Sequence, residues 1–384
     1  MDFNLPEELR LMQATIRKFV DEEVNPVSNQ IEEEDVIPES VVQRMRELGF
    51  FGMSIPEEYG GLGLSTLGEC VVYEEISRGN SSLRTRFSTN NGIGSLGILF
   101  DGTDEQKNRF LPDIASGEKT IAFALTEPDV GSDASAIKTS AVRENDEFVL
   151  NGRKMFITNG AIADLVTVFA VTDPQKRSRG GITAFIVEKQ TPGYSIGKFE
   201  KKMGLRGSTT TELLFDDCRL PVANVIGGEP MIGQGFKTAM RALDKGRLTL
   251  AAASVGMAQK SFELAVAYAK ERVQFGRPIG QFQLIQGMLA QMATEIFAGR
   301  QMVYRTAWEK DQGRSVRKEA AMTKLFCTEM LGRVADTALQ VHGGMGYMKE
   351  FPIERIYRDA RVTRIYEGTS EIQKLVIAKE ILKD

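Results

Sequence analysis

One acidic residue near the C-terminal end of the sequence combines features that suit proton-transfer chemistry. Glu367 follows the aromatic residue Tyr366 and precedes Gly368, with hydroxyl groups close behind at Thr369 and Ser370. Glycine lets the backbone approach a ligand closely. A carboxylate beside an aromatic ring can lose hydration and then act as a general base. A solvated acid at a helix start has the same local sequence, so other segments must decide between these interpretations.

Three further segments could bind a polar or phosphorylated ligand. Residues 126–133 form a Pro/Gly turn that offers Thr and Ser hydroxyls beside backbone amides. Residues 272–283 place arginines and glutamines around a Gly/Pro loop, and arginine forms charge-assisted bonds to phosphate. Residues 339–347 are dense in glycine, but no strand precedes them, so they are not a dinucleotide-binding G-x-G-x-x-G motif. Each segment alone also fits an ordinary turn, loop or helix cap.

The composition excludes several kinds of protein. The formal net charge is −4, which gives no basic surface for nucleic acid, and no stretch approaches the roughly 18 apolar residues of a membrane span. His342 is the single histidine, so histidine-rich metal sites are excluded and we expect no metal. Three scattered cysteines without a CxxC pair favour a reducing, cytoplasmic location. The first residues, Met1 to Asn4, show no secretory pattern, and we expect no signal peptide.

The elements that must position these residues fall into three regions. Apolar residues recur at helical spacing in residues 6–24, 41–48 and 66–116. Short segments rich in β-branched and aromatic residues follow, separated by turns such as Asn151-Gly152, which predicts an antiparallel sheet or barrel. Helical spacing returns after about residue 233. We therefore predict an α+β fold with an N-terminal helical domain at 1–117, a middle antiparallel β-barrel domain at 118–230 and a C-terminal four-helix bundle at 231–384.

The ordered set of motifs resembles the acyl-CoA dehydrogenase family over essentially the whole chain. The resemblance rests on Pro-Glu-Glu-Tyr-Gly-Gly at 56–61, Thr-Glu-Pro-x-x-Gly-Ser-Asp at 126–133 and Asn-Gly-x-Lys-x-x-Ile-Thr-Asn at 151–159. It continues with Arg-x-x-Phe-Gly at 272–276, Gln-x-x-Gly-Gly-x-Gly at 340–346 and Tyr-Glu-Gly-Thr at 366–369. One motif alone would be weak, whereas several in matching order are specific. The three-region organisation is also what the fold of this family implies.

The resemblance implies an FAD cofactor, a homotetramer and an electron-transfer flavoprotein as electron acceptor. The residues implied to line the flavin within one subunit are Phe123, Leu125, Thr126, Gly131, Ser132, Phe156, Ile157 and Thr158. Those implied to reach the FAD of a neighbouring subunit are Arg272, Gln274, Phe275, Phe282, Gln283, Gln340, Gly343 and Gly344. Thr369 and Glu371 would complete the site near the FAD phosphates. The residues implied to touch the acyl-CoA are Ser132, Asp244, Arg247, Tyr366 and Gly368.

The resemblance also implies the reaction. Glu367 would remove the α-proton of an acyl-CoA thioester while the β-hydrogen passes to flavin N5 as a hydride. Some branches of the family carry the base in the stretch that corresponds to residues 244–248. Gly246 stands there in this chain, which favours the straight-chain branch over the isovaleryl type.

The acyl group is the open part of this interpretation. Short-chain monocarboxylic acyl-CoA is the first expectation. Glutaryl-CoA dehydrogenases have an arginine followed by a small hydroxyl residue where this chain has Arg84-Thr85, so Arg84 could bind a distal carboxylate. Alternatively, Arg84 extends to solvent or pairs with Glu74 or Glu75. A flavin oxidase or monooxygenase of the same fold is disfavoured by Glu367, and a non-catalytic acyl-CoA-binding homologue is disfavoured by the intact flavin motifs.

Overall fold

The first region of the molecule is helical, as the sequence predicts. The computed structural model describes residues 4–383; residues 1–3, on which the expectation of no signal peptide partly rests, lie outside them. Within the described residues, seven α-helices precede the first strand: α1 Glu7–Phe19, α2 Ser28–Glu34, α3 Glu39–Glu47, α4 Thr66–Ile76, α5 Ser82–Asn91, α6 Leu96–Asp101 and α7 Asp104–Ser116. Helix α7 begins with a capping box between Thr103 and Gln106. The continuous helical pattern of residues 66–116 is thus divided into four helices.

The middle region is a seven-stranded sheet. Its strands are β1 Ile121–Ala124, β2 Ser140–Glu144, β3 Glu147–Thr158, β4 Leu165–Val171, β5 Ile182–Glu188, β6 Tyr194–Phe199 and β7 Thr210–Pro221. They run in the order β1-β4-β2-β3-β7-β6, with β5 paired to β4. The pairs β2–β3, β3–β7, β4–β5 and β6–β7 are antiparallel. The prediction of antiparallel strands is confirmed for these pairs.

The prediction of a wholly antiparallel sheet is wrong at two pairings, both of which involve β4. Strand β1 lies parallel to β4, with Ile121 opposite Leu165, and β4 also meets β2 in parallel at one residue pair. Parallel neighbours need a long connection between them, and the usual connection is a helix. In this protein the β2–β3 hairpin forms part of the connection between β1 and β4. The sequence pattern shows no helix between these strands, so it gave no sign that they are parallel.

The third region is a bundle of long helices. Its helices are α8 Gly235–Glu271, α9 Gln283–Asp311, α10 Arg317–His342, α11 Pro352–Ala360 and α12 Ser370–Ile381; a short ribbon of β8 Val273–Gln274 and β9 Arg277–Pro278 lies between α8 and α9. The small residues 251–254 of α8 are buried. At Gly256 an added Cβ would lie 1.9 Å from the carbonyl oxygen of Glu74, so α8 and α4 pack backbone against backbone.

No helix within residues 4–383 is both long enough and apolar enough to cross a lipid bilayer.

Candidate active site

A small pocket lies where α4, α5 and α8 meet the turn before α12. Glu367 lines it together with Arg84 of α5 and Gly246 of α8. Arg84 Nη2 donates to Glu367 Oε1 at 2.9 Å, and Arg84 Nη1 donates to the Tyr366 hydroxyl at 3.0 Å. The side chains of Arg84 and Glu367 are only 7% and 13% exposed. The structure therefore brings two of the predicted substrate-binding residues, Arg84 and Tyr366, directly to the predicted base.

The second carboxylate oxygen of Glu367 is left free. Glu367 Oε2 is buried and has no hydrogen-bond partner within the described part of the chain. An added Cβ at Gly246 would lie 2.6 Å from this oxygen. Position 246 is thus adjacent to the carboxylate, and glycine leaves the space beside it open. A buried acceptor without a partner is unfavourable in the resting protein, and a substrate proton can satisfy it.

Arg84 neither extends to solvent nor pairs with Glu74 or Glu75, the two alternatives that the sequence left open. It is buried rather than extended to solvent. Glu74 binds Arg300, and Glu75 binds Arg17 and Arg78, so both local acids have other partners.

Arg86, two residues beyond Arg84 on α5, points elsewhere. Its Nη1 donates to the Thr120 hydroxyl at 2.9 Å, and its guanidinium lies 5.3 Å from the Phe51 ring centroid. Of the two arginines in this segment, only Arg84 lines the pocket.

The turn that carries Glu367 is held in an unusual conformation. Glu367 has φ +55° and Gly368 has φ +89°, so a non-glycine residue occupies the left-handed region next to a glycine. Lys324 Nζ and Gln373 Nε2 each donate to the Gly368 carbonyl at 2.9 Å. Burial lowers the pKa of Lys324 to about 8. Thr369 then caps α12, its hydroxyl accepting from Ile372 N–H at 3.3 Å.

The other predicted substrate residues divide between this site and the β-domain. Asp244 and Arg247 flank Gly246 on α8 and form an ion pair with each other. Burial lowers the pKa of Arg247, whose Nε has no partner among the described residues. Gly368 belongs to the turn itself. Ser132 is exposed on the loop after β1, in the β-domain.

The predicted flavin-lining residues of the β-domain come together at the ends of β1 and β3. Met155 N–H donates to the Thr126 carbonyl at 2.9 Å, which joins the two segments. Phe156, at φ +59°, is 56% exposed and offers an uncovered ring face. The side chains of Leu125 and Ile157 are buried beneath, and Phe123 is partly buried. Gly131 is exposed, with nothing within 4 Å of an added Cβ.

These β-domain residues fit a flat polar ring. The hydroxyls of Thr126, Ser132 and Thr158 have no protein hydrogen-bond partner in residues 4–383 and remain available to a ligand. An open aromatic face beside free hydroxyls and an uncovered glycine backbone suits stacking and hydrogen bonding to such a ring.

Two buried contacts that the sequence did not single out hold this region in place. Asn159 Nδ2 donates to the Thr85 carbonyl and to the Thr89 hydroxyl, both at 2.9 Å, so the end of β3 is fastened to the helix that carries Arg84. Lys154 binds Glu127 at 2.8 Å beneath the loop after β1. Burial lowers the pKa of Lys154 to about 8. Both residues lie within the quoted motifs, which is the signal that could have identified them.

Of the two residues that hold the turn of Glu367, the sequence pointed to the Gln373 amide close behind the acid but not to Lys324. Both side chains are fully buried although both residue types are usually exposed. In the sequence Lys324 looks like an ordinary polar position of a helix, so no local signal marks it.

Glu371 lies in the first turn of α12, close after Glu367, whereas the remaining predicted cofactor residues lie far from Glu367. Glu271, at the end of α8, is roughly 38 Å along the helix from Gly246, at about 1.5 Å per residue. The loop after it carries Arg272, Gln274, Phe275 and Phe282, and Phe275 is 94% exposed. The end of α10 lies beside this loop, because the rings of His342 and Tyr268 stack at 4.5 Å. The distant group therefore consists of two adjoining segments, and its members are Arg272, Gln274, Phe275, Phe282, Gln283, Gln340, Gly343 and Gly344.

The sequence matches three family models in the same order as the three regions. They are the N-terminal domain of acyl-CoA dehydrogenase over residues 6–118, its middle domain over 122–218 and its C-terminal domain over 233–382. The chain belongs to the acyl-CoA dehydrogenase family. It is an oxidoreductase that acts on acyl-CoA.

Two curated relatives of this acyl-CoA dehydrogenase cover it from end to end. The acryloyl-CoA reductase (NADH) of Anaerotignum propionicum is 46% identical over 100% of this chain and 96% of its own length. The short-chain specific acyl-CoA dehydrogenase of Clostridium acetobutylicum is 43% identical over 100% of both chains.

Solved structures of similar proteins agree with the assignment. Butyryl-CoA dehydrogenase from Megasphaera elsdenii is 38% identical, with a TM-score of 0.95 and full coverage of both chains. A glutaryl-CoA dehydrogenase in complex with glutaryl-CoA is also 38% identical, with a TM-score of 0.93 over 100% of this chain and 97% of the other.

Two further structures bear on electron transfer and on the cofactor. A chain from a study of the electron transferring flavoprotein of Acidaminococcus fermentans is 42% identical, with a TM-score of 0.96 and full coverage of both chains. An acyl-CoA dehydrogenase from Bacillus anthracis complexed with FAD is 37% identical, with a TM-score of 0.91 over 99% of this chain and 67% of the other. FAD is the cofactor that membership of this family assigns to the chain.

Proposed function

We propose that this protein interconverts a short-chain acyl-CoA and its trans-2-enoyl-CoA, with Glu367 as the base. The single observation that carries the proposal is the state of the Glu367 carboxylate. One oxygen is bound by Arg84, whereas the other is buried, without a partner, and next to the open space at Gly246. A carboxylate oxygen in that state can accept the α-proton of a thioester.

The turn around Glu367 also supports stabilisation of the charge that develops on the substrate. The backbone N–H of Glu367 has no acceptor among the described residues. It can therefore donate to the thioester oxygen, which gains negative charge as the α-proton leaves. Lys324 and Gln373 hold the neighbouring carbonyl, so this donor is already oriented before substrate binds.

The β-domain residues with an open aromatic face and free hydroxyls are proposed to hold the flavin ring. Phe156 would stack on the ring, Thr126, Ser132 and Thr158 would donate to its polar edge, and Ser132 would also meet the acyl-CoA. FAD, when bound, accepts the β-hydrogen as a hydride. The same residues serve the reverse reaction, in which Glu367 returns the proton to Cα, and the relative named acryloyl-CoA reductase makes that direction a reasonable assignment as well.

A second copy of the chain is proposed to complete the cofactor site. The group at Arg272–Gln283 and Gln340–Gly344 cannot reach the flavin of its own chain across roughly 38 Å of α8. It is exposed and can instead meet the FAD of a neighbouring subunit, near Thr369 and Glu371, in a homotetramer. An electron-transfer flavoprotein is the proposed electron partner, by analogy with the Acidaminococcus fermentans structure.

Glutaryl-CoA is the second candidate substrate, because Arg84 lies in the pocket. A distal carboxylate would have to compete with Glu367 for the same guanidinium, since the pair is already 2.9 Å apart. That competition makes a monocarboxylic acyl group the first choice. Because the chain is also similar to a glutaryl-CoA dehydrogenase bound to glutaryl-CoA, the experiment below tests glutaryl-CoA as well.

Anaerobic bleaching of the bound flavin tests the proposed base. We expect butyryl-CoA to bleach the wild-type protein and Glu367→Gln to bleach about 10²–10⁴ times more slowly, because a general base contributes about that factor. The exposed Glu350→Gln is the matched control and should bleach at the wild-type rate. Full-rate bleaching by Glu367→Gln would exclude Glu367 as the base.

The same assay separates the two substrate candidates. Arg84→Ala is compared with Arg86→Ala, which removes an arginine on the same helix that does not line the pocket. Bleaching by butyryl-CoA alone supports the short-chain assignment. Bleaching by glutaryl-CoA that is lost in Arg84→Ala but kept in Arg86→Ala would assign the dicarboxylyl substrate instead.

A further inference from the structure

The pocket beside Glu367 contains a second buried ion pair. Lys245 Nζ lies 2.8 Å from Glu69 Oε1, and their side chains are only 15% and 3% exposed. Both residues line the pocket. Of the described side chains that line it, Ile93 is the only aliphatic one. The walls that would surround an acyl chain are therefore mostly polar or charged.

The pair forms part of the wall of the pocket that the base also lines. Glu69 is one helical turn before Tyr73 on α4, and Arg84 lies 5.9 Å from the Tyr73 ring centroid. Lys245 precedes Gly246, the residue beside the Glu367 carboxylate. A series of side chains thus runs from Glu367 through Arg84 and Tyr73 to Glu69. An acyl chain that fills the pocket beside Glu367 would therefore lie against the Glu69–Lys245 pair.

The surrounding contacts fix the pair in place. Helices α4 and α8 meet backbone to backbone at Gly256 and Glu74, so they cannot slide apart without losing that contact. Asp311 accepts from the backbone N–H groups of Thr66 and Leu67, at 2.7 and 2.9 Å, which holds the start of α4.

Charge on the other side of the pair also restrains Glu69. Burial, followed by repulsion from Lys245, lowers the pKa of the nearby Lys310. The positive charges of Lys245 and Lys310 attract the Glu69 carboxylate and so favour its observed orientation.

We propose that Glu69 and Lys245 determine acyl-chain length by closing the part of the pocket that they line. The inference rests on the proposed acyl-CoA function and names two specificity-determining residues for it. An alkyl chain that extends as far as Glu69 and Lys245 would have to separate a buried ion pair or press against it without hydrogen bonds. Breaking a buried pair is strongly unfavourable, and an apolar chain end compensates for none of that loss.

Replacing the pair by apolar residues of similar size should lengthen the preferred substrate. Such replacements of buried ion pairs are often tolerated by the fold. We expect Glu69→Leu combined with Lys245→Met to raise the ratio of kcat/KM for hexanoyl-CoA over butyryl-CoA by about tenfold or more, since one or two methylenes in an apolar pocket give at least that discrimination. Octanoyl-CoA extends the series.

Another ion pair on the same helix provides the matched control. Glu74 binds Arg300 at 2.7 Å, is equally buried and does not line the pocket. Glu74→Leu combined with Arg300→Met should leave the hexanoyl-to-butyryl ratio at the wild-type value. A shift of the same size in this control would show that loosening α4, rather than opening the pocket, changes the preference, and would overturn the inference.

A second variant, Lys245→Arg, tests the proposed role of the ion pair even if the double variant fails to fold. Lys245→Arg keeps the pair but fills more of the pocket, so the ratio of kcat/KM for butyryl-CoA over propionyl-CoA should fall several-fold. An unchanged ratio in Lys245→Arg, or an unchanged ratio in a folded double variant, would overturn the inference. Failure of every acyl-CoA to bleach the wild-type flavin would instead overturn the proposed function.

Discussion

The backbone of Glu367 shows how the chain fixes one carboxylate against its local preference. A left-handed conformation in a non-glycine residue is uncommon, and such residues persist only where the surroundings hold them. Here the surroundings are two buried polar side chains, Lys324 and Gln373, which donate to the next carbonyl. Gly368 permits the turn, whereas the buried donors maintain it.

At the residue scale, the space beside Glu367 can be tested through Gly246. In Gly246→Ala the new Cβ would lie 2.6 Å from Glu367 Oε2, so the carboxylate must move. We expect kcat for the preferred acyl-CoA to fall about tenfold to a hundredfold with flavin content unchanged, because small displacements of reacting groups have effects of that size. The measurement is steady-state turnover alongside the flavin absorbance of the purified protein.

Gly287→Ala is the control for a glycine change in a long helix. Nothing lies within 4 Å of an added Cβ at Gly287 on α9, so turnover should remain at the wild-type rate. If Gly246→Ala also retained wild-type turnover, the close approach of α8 to the carboxylate would have no catalytic importance.

At the element scale, α11 is connected to the β-domain through one buried acid. Asp359 accepts the backbone N–H of Leu205, a residue held at φ +53° in the loop between β6 and β7. Arg355 and Arg358 of α11 and Glu32 of α2 also influence it. Burial raises the pKa of Asp359 to about 6. The contact between α11 and this loop therefore includes a group that titrates near neutrality.

A pH dependence of stability follows from that raised pKa. The unfolded chain releases this proton near pH 3.9, whereas the folded protein holds it until about pH 6. The stability that the protonated group contributes is therefore present below about pH 4 and is lost as pH rises to 6, by about 3 kcal/mol. We expect the melting temperature of the wild type to decline relative to Asp359→Asn between pH 4.5 and pH 7.

Asparagine is a suitable comparison because its side-chain oxygen can still accept the Leu205 N–H without ionising. Thermal unfolding of both proteins, followed in the same buffers, gives the difference directly. Parallel pH profiles for the wild type and Asp359→Asn would contradict the assignment of this titration to Asp359.

At the scale of the whole molecule, the outstanding feature is an exposed aromatic end. Phe275 is 94% exposed and Tyr347 is 79% exposed, and they lie in the two segments at the distant ends of α8 and α10. Large exposed aromatic side chains beside arginines and glycines are typical of surfaces that meet a partner. Three expectations stay predictions: the homotetramer, the domain boundaries at 117/118 and 230/231, and the cytoplasmic location. The three cysteines on which the expected location partly rests, Cys70, Cys218 and Cys327, are buried and form no disulfide with one another.

Assembly can be tested by placing a charge at this end. We expect Phe275→Asp to reduce the mass measured by light scattering and to lower the flavin content, because the partner's contact with FAD would be lost. Aspartate tolerates the left-handed conformation at this position, where φ is +50°, so the loop itself should survive.

Val142→Asp, at an exposed position of β2, is the control and should keep the wild-type mass. A wild-type protein that is monomeric with full flavin, or a Phe275→Asp protein that keeps both mass and flavin, would contradict the shared-site assembly.

The order and type of the elements were determined by the sequence itself. Helical spacing of apolar residues predicted the long helices α8, α9 and α10, and turn residues between β-rich segments predicted the sheet. These signals are local, because the helical and strand periods depend on neighbouring residues along the chain. The motifs were equally local, and they identified both the family and the turn that carries Glu367.

The composition of the site was decided only by the tertiary structure. Arg84 and Glu367 are 283 positions apart, and no local rule could choose Glu367 over the nearer Glu74 or Glu75 as the partner of Arg84. The choice depends on how α4, α5 and α8 cross, which also buries Glu69 with Lys245. The parallel β1–β4 pair has the same origin, since it follows from how distant segments pack.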